Sequence, residues 1–172
     1  MRLAYFIFFL LIISCSNEPE WKYLFNGENL DGWEIKIREH KIGQNFKNTF
    51  KVDNGAIKVS YEEYDEFDKK FGHIFYVKEK FKNYHLSLDY KFSGTHLKGA
   101  PGWSIKNSGI MLHCQDPYTM LIDQEFPVSS ETQLLGGLGG GERSTVNMCS
   151  PGTDVDIDGL LAQYHCINSS SK

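Results

Sequence analysis

Long apolar runs are scarce in this chain. The longest, residues 3–13, has eleven residues, roughly half of what a helix needs to cross a bilayer. Helical periodicity is scarcer still. Almost no stretch repeats apolar residues at helical spacing over three turns, and with sixteen glycines present this turns the fold class towards β. A basic patch is missing as well: the net charge is -4 and the basic residues are scattered among acidic ones, which excludes nucleic acid as a partner. The glycine-rich stretch 136–141 lacks both the GxxxxGK[ST] and the GxGxxG spacing and no helix pattern follows it, so it is no phosphate cradle. Cysteines number four, in a spacing unlike a zinc site. What is present suffices for one buried core, since 172 residues carry 41% hydrophobic and 14% aromatic side chains.

The amino terminus reads as a targeting segment, with Arg2 ahead of the apolar run. Ile12-Ile13-Ser14-Cys15 resembles a bacterial lipoprotein box, which implies a signal peptide over residues 1–14, lipidation of Cys15 and a tether to residue 20. The alternative is an ordinary secretory signal with an incidental cysteine. The expectation is thus an exported protein, periplasmic or at the cell surface, anchored to the membrane by acyl chains without a spanning helix. Export permits disulfides. Three cysteines remain beyond Cys15, and Cys149 with Cys166 is the first choice of pair, because a crosslink there closes a sixteen-residue loop and stabilises by about 3 kcal/mol in the chain-entropy model. Cys114 reads as a small core residue.

Strand signals dominate the rest. Residues 21–33 place Trp21, Leu24, Phe25 and Trp33 around two turn signals and are expected to pin to a core. Asn54-Gly55 between FKVD and AIKV predicts a hairpin. Residues 61–70 are acidic and loop-like, an expected exposed insertion. In 84–92, YHLSLDYKF, Tyr84, Leu86, Leu88, Tyr90 and Phe92 alternate with His85, Ser87, Asp89 and Lys91, the pattern of a half-buried strand. Chemistry concentrates between 107 and 137. There Asn107, Gly109, Met111 and His113 share one side of an extended chain, and Glu131, Gln133 and Leu135 share one side of a second. Facing the same way, Asn107, His113, Glu131 and Gln133 line one wall of a cleft. Short strands with one apolar and one polar face predict an antiparallel sandwich of two sheets.

Taken in order, LFNGENLDGW, the VDNGAIKV hairpin, FKNYHLSLDYKF, NSGIMLH and ETQLLGG resemble the successive motifs of the 3-keto-disaccharide hydrolase domain family. The resemblance spans nearly all of residues 21–172. It implies an all-β domain of concanavalin A-like jelly-roll architecture. Members of that family continue with a Trp-containing strand and a last strand bearing an NG turn, which this sequence does not have, so a domain cut short at its C-terminus is expected. The resemblance also implies cleavage of glycosides already oxidised at the sugar's carbon 3. The ketone acidifies the proton on carbon 2, a base removes it, and the group on carbon 1 leaves before water adds back. Two glycosidase carboxylates are not required.

Such chemistry needs a base with a pKa near neutrality and a donor or cation for the enolate oxygen. Glu131 or His113 is the expected base. Lys91 is the expected cation, with Asp89 about 7 Å along the same strand face. Asn107 and Gln133 are expected to bind sugar hydroxyls, and Trp103 and Tyr118 to stack on a sugar ring. Each residue also has a plain structural reading. Asp89 and Lys91 can form a solvated salt-bridging face, His113 can satisfy a local hydrogen bond, and the aromatics can pack on a sheet edge. Glu131 and Gln133 are the stronger pair, because polar side chains beside Leu134 and Leu135 need partners. No cofactor is required, and a divalent metal is open. Asp154, Asp156 and Asp158 alternate like calcium ligands but lack the later glycine and glutamate of a helix-loop-helix calcium site. Two other functions compete: a non-catalytic carbohydrate-binding module and a scaffold lipoprotein with no small ligand.

Overall fold

The computed structural model describes residues 20–162 and residue 166. The expected signal segment, Cys15 and the serine-rich tail lie outside the described residues. Within them every regular element longer than a single 3-10 turn is a β-strand, and every pairing is antiparallel. This is the all-β class expected of the jelly-roll sandwich, with its ladders divided among four small sheets.

Strand β1 (Trp33–Ile37) pairs with β4 (Gly72–Tyr76), and β2 (Phe50–Asp53) with β3 (Ala56–Val59). Between β2 and β3 the predicted turn forms, with Asn54 and Gly55 both at positive φ (51° and 74°), the left-handed pair that a two-residue hairpin demands. Ile35, Ile37 and Phe50 form the buried centre, with Leu30, Phe46 and Ile74 packed on them. Gly72 lets β4 pass close over this cluster: a Cβ there would stand 3.2 Å from the Phe50 ring and 3.3 Å from Ile37 Cγ1.

The second half of the chain forms a three-stranded sheet of β5 (Asn107–Leu112), β6 (Ser130–Leu135) and β7 (Asn147–Cys149), with β6 in the middle. A last hairpin pairs β8 (Val155–Ile157) with β9 (Leu160–Ala162). The approach to β6 is clamped to the first sheet. Buried Lys36 donates to the carbonyls of Ile37 (3.0 Å) and Ile122 (3.1 Å), Arg38 Nε donates to Asp123 O (3.1 Å), and His73 Nε2 donates to Glu125 O (2.7 Å). Packed against Phe126 and Phe75, His73 is pushed down to about 4 by burial and stays neutral.

Two sequence expectations change and a third is sharpened. Residues 84–92 are not a strand: no ladder reaches them among the described residues, and Tyr84, Leu86, Leu88 and Tyr90 are 38–48% exposed. Alternation reports an amphipathic extended chain, but a strand also needs a neighbour to take its backbone hydrogen bonds. Residues 61–70 are a largely exposed loop as expected, but an anchored one, since Tyr64 and Phe67 are buried and the Tyr64 hydroxyl meets Thr49 Oγ1 at 2.6 Å. Trp21 is not pinned but 62% exposed, whereas Trp33 donates Nε1–H to Leu24 O at 3.3 Å and packs edge-on to Tyr76.

Because Ile37 is fully enclosed, Ile37→Ala should cost about 2–5 kcal/mol of unfolding free energy, measured by urea denaturation; a loss below 1 kcal/mol would place the structural centre elsewhere.

Candidate active site

The register of β6 builds the site. Glu131 stands opposite Met111 on β5 and Cys149 on β7, and Gln133 stands opposite Gly109 and Asn147. Directly paired residues share a sheet face, so Glu131, Gln133, Asn147, Cys149, Gly109 and Asn107 form one row system. Two loop contacts bring β7 into place: Val146 N donates to Gln133 O at 2.8 Å, and Leu135 N donates to Thr145 Oγ1 at 3.0 Å. Arg143 ties the loop back by donating to Ile105 O (2.7 Å) and Gly136 O (3.1 Å).

Glu131 is 8% exposed, and among the described residues no hydrogen bond or ion pair reaches its carboxylate. Burial alone raises its carboxyl to about 7, because the charged form has lost its water without gaining a counter-charge. Gly109 makes the room. A Cβ there would fall on Glu131 Oε1 and within 2.7 Å of its Cγ and Cδ, so any larger residue would evict the carboxylate. Gln133, also buried, accepts from Asn147 Nδ2 at 3.1 Å and directs its own amide to Cys166 Sγ at 3.8 Å. Cys166 is disulfide-bonded to Cys149. Sequence reasoning missed Gly109 and Asn147. The glycine inside a strand was a usable signal of close approach, whereas residues 146–159, which hold Asn147, have the pattern of turns with one short strand.

The remaining candidates sit around one hollow of about 3030 Å³, lined by Asp89, Lys91, Trp103, Asn107, His113, Tyr118, Glu131 and Gln133 among others. Small-molecule sites usually measure about 300–1,000 Å³, so sharing this hollow is not contact. Asp89 and Lys91 are exposed on the 84–92 segment. His113 does not continue the β5 row: its φ of 48° breaks the alternation one residue past the strand, and its ring lies 5.7 Å from that of Tyr84. Asn107 donates to Trp103 O at 3.0 Å. Trp103 stacks one face on Phe71 at 5.9 Å and is 42% exposed, while Tyr118 is more exposed still. Free Cys114 is half-buried, and burial pushes its thiol up, the opposite of what a nucleophile needs. Among the described residues no three His, Cys, Asp or Glu side chains gather as a metal centre. Asp156 instead accepts from Gly159 N at 2.7 Å, closing the β8–β9 turn.

A family model for the 3-keto-alpha-glucoside-1,2-lyase-like domain matches residues 20–159. The chain belongs to that family. Membership makes it a domain of a carbohydrate-acting family and agrees with the antiparallel all-β architecture. No curated protein and no solved structure matches the chain.

The raised carboxyl of Glu131 sets a pH dependence with a definite sign. Its folded value of about 7 stands above the unfolded value near 4.3, so the folded state holds the proton more tightly and loses stability as pH rises between the two. Glu131→Gln should therefore gain stability over the wild type from pH 4.5 upward, with the gain level above pH 7. Thermal unfolding across pH 4–8 checks this; a difference that shrinks with rising pH would refute the burial of a charged carboxylate.

Proposed function

We propose that the protein cleaves 3-keto-glycosides by base-assisted elimination followed by hydration, with Glu131 as the general base. The observation that carries the reading is a buried carboxylate poised at about 7 on the wall of a hollow in a domain of this family. A base of that strength accepts a proton effectively at neutral pH. Glu131 takes the proton from carbon 2, the electron pair passes into an enolate with the oxygen on carbon 3, and the carbon 1–oxygen bond breaks. The leaving alcohol takes up a proton, and water then adds across the unsaturated sugar, its hydroxyl to carbon 1 and its proton to carbon 2. Lys91 and Asp89, which also line the hollow, are the charged groups assigned to the enolate oxygen and the leaving group, with His113 as a further proton carrier. Gln133 and Asn107 are assigned to sugar hydroxyls.

The exposed aromatics favour a second reading. Trp103 and Tyr118 on the lining of the hollow suit stacking on a sugar ring, which a non-catalytic carbohydrate-binding domain would also use. Turnover separates the two.

Glu131→Gln should lower aglycone release from a 3-keto-glucoside by about 10²–10⁴-fold, and the wild-type kcat/KM should fall below about pH 7 as Glu131 is protonated. Full activity in Glu131→Gln would sink the assignment; sugar binding without any turnover would favour the binding domain. Export and lipid anchoring at Cys15 belong to the same proposal. Cys15→Ala should move the protein from the membrane fraction to the soluble fraction after cell lysis, and unchanged membrane association would overturn the anchor.

A further inference from the structure

Beside the large hollow lies a smaller cavity of about 530 Å³, lined by Lys82, Asn83, Tyr84, His85, Leu112 and His113. All of these except Lys82 line the hollow as well, so the two spaces adjoin. The smaller one has the size of ordinary small-molecule sites, about 300–1,000 Å³. Strand β5 supplies one side: Leu112 is its last residue, directly after Met111, which pairs with Glu131. His113 then takes a φ of 48°, and its ring comes to 5.7 Å from that of Tyr84. Every polar side chain of the lining can donate a hydrogen, and none carries negative charge. Lysine brings an ammonium, asparagine an amide, tyrosine a hydroxyl, and each imidazole an N–H in either protonation state. The acidic side chains just along the chain are engaged elsewhere, Glu79 with Lys22 and Asp116 with Lys80 at 3.3 Å. Asp89 lines the hollow but not this cavity. Among the described residues no carboxylate pairs with Lys82, and no hydrogen bond reaches the His85 ring.

We infer that this cavity is a subsite for a carboxylate carried by the substrate, so that the chain acts on glycosides with an acidic substituent. The substrate class rests on the elimination proposed above, whereas recognition of the anion does not. An ionised carboxylate has only acceptor oxygens, and the lining offers it donors from two separate segments, Lys82 to His85 and His113. A neutral hydroxyl gains nothing from the charge on Lys82. Lysine and histidine lack the rigid fork with which arginine grips both oxygens of a carboxylate, so the contact selects charge more than orientation. Tyr84 and Leu112 give apolar surface for the ring or chain that bears the acid. His113 also serves the hollow, so Lys82 and His85 carry the test.

The test compares two 3-keto-glucosides whose leaving groups match in size, the 4-carboxyphenyl and the 4-(hydroxymethyl)phenyl compounds. The kcat/KM should favour the carboxylate by about five- to tenfold, mostly through KM, because exposed donors contribute modestly. Raising the salt to about 1 M should shrink that preference, since charges are then screened within a few ångströms. Lys82→Ala and His85→Ala should each reduce the preference by lowering kcat/KM for the carboxyphenyl compound, and Lys82→Arg should keep it. A preference for methyl 3-keto-glucuronide over methyl 3-keto-glucoside in its place supports the subsite and puts the carboxylate on the sugar. Equal kcat/KM within both pairs would overturn the inference, as would a Lys82→Ala variant that slows both aryl compounds alike. If no 3-keto-glucoside is turned over, the enzymatic reading fails on its own, and the subsite is read from amide NMR shifts on adding 4-carboxyphenyl glucoside. Shifts at residues 82–85 and 112–113 that vanish in Lys82→Ala sustain it; their absence from the wild type refutes it.

Discussion

The pairing of β6 with both its neighbours governs the molecule's chemistry. Side chains on a strand alternate faces, so a slip of one residue would exchange Glu131 and Gln133 for Ser130, Thr132 and Leu134 on the face where Gly109 leaves room. Two devices hold the register. On the β5 side, the carboxylate fits only over a glycine. On the β7 side, the Asn147–Gln133 bond ties the third strand to the same row.

The segment that leads into β6 ties that sheet to the first half of the chain. Its carbonyls at Ile122, Asp123 and Glu125 accept from Lys36, Arg38 and His73, all on or beside β1 and β4. A buried lysine is costly unless its ammonium finds acceptors, and Lys36 has two backbone carbonyls, with burial lowering its pKa. His73 works as a neutral donor because its packing excludes the charged form. Polar groups inside the fold thus carry orientation, while Ile35, Ile37 and Phe50 carry the apolar burial.

Glu131 shows how stability and chemistry oppose each other at one residue. Water and a counter-charge would both stabilise its ionised form; burial restricts the first, and among the described residues no cation supplies the second. The same desolvation that weakens the fold at higher pH leaves a carboxyl that takes up a proton near neutrality, which is what the proposed elimination asks of its base.

Much of this was legible in the residues. The all-β class, the Asn54-Gly55 hairpin, strands at 107–112 and 130–135 and a shared face for Asn107, Glu131 and Gln133 all follow from period-two patterning and turn chemistry, which act between near neighbours in the chain. The family could be read from motifs in order. Tertiary structure alone decided the rest, because it depends on residues distant in sequence. The 84–92 segment has the pattern of a strand without a ladder, His113 leaves its row at a positive φ, and Gly109 and Asn147 matter only for the side chains opposite them. Sequence by itself determined which residues are able to do chemistry; only cross-strand register and burial decided that Glu131 is the one made basic, since desolvation is a property of what surrounds a side chain and not of the side chain itself.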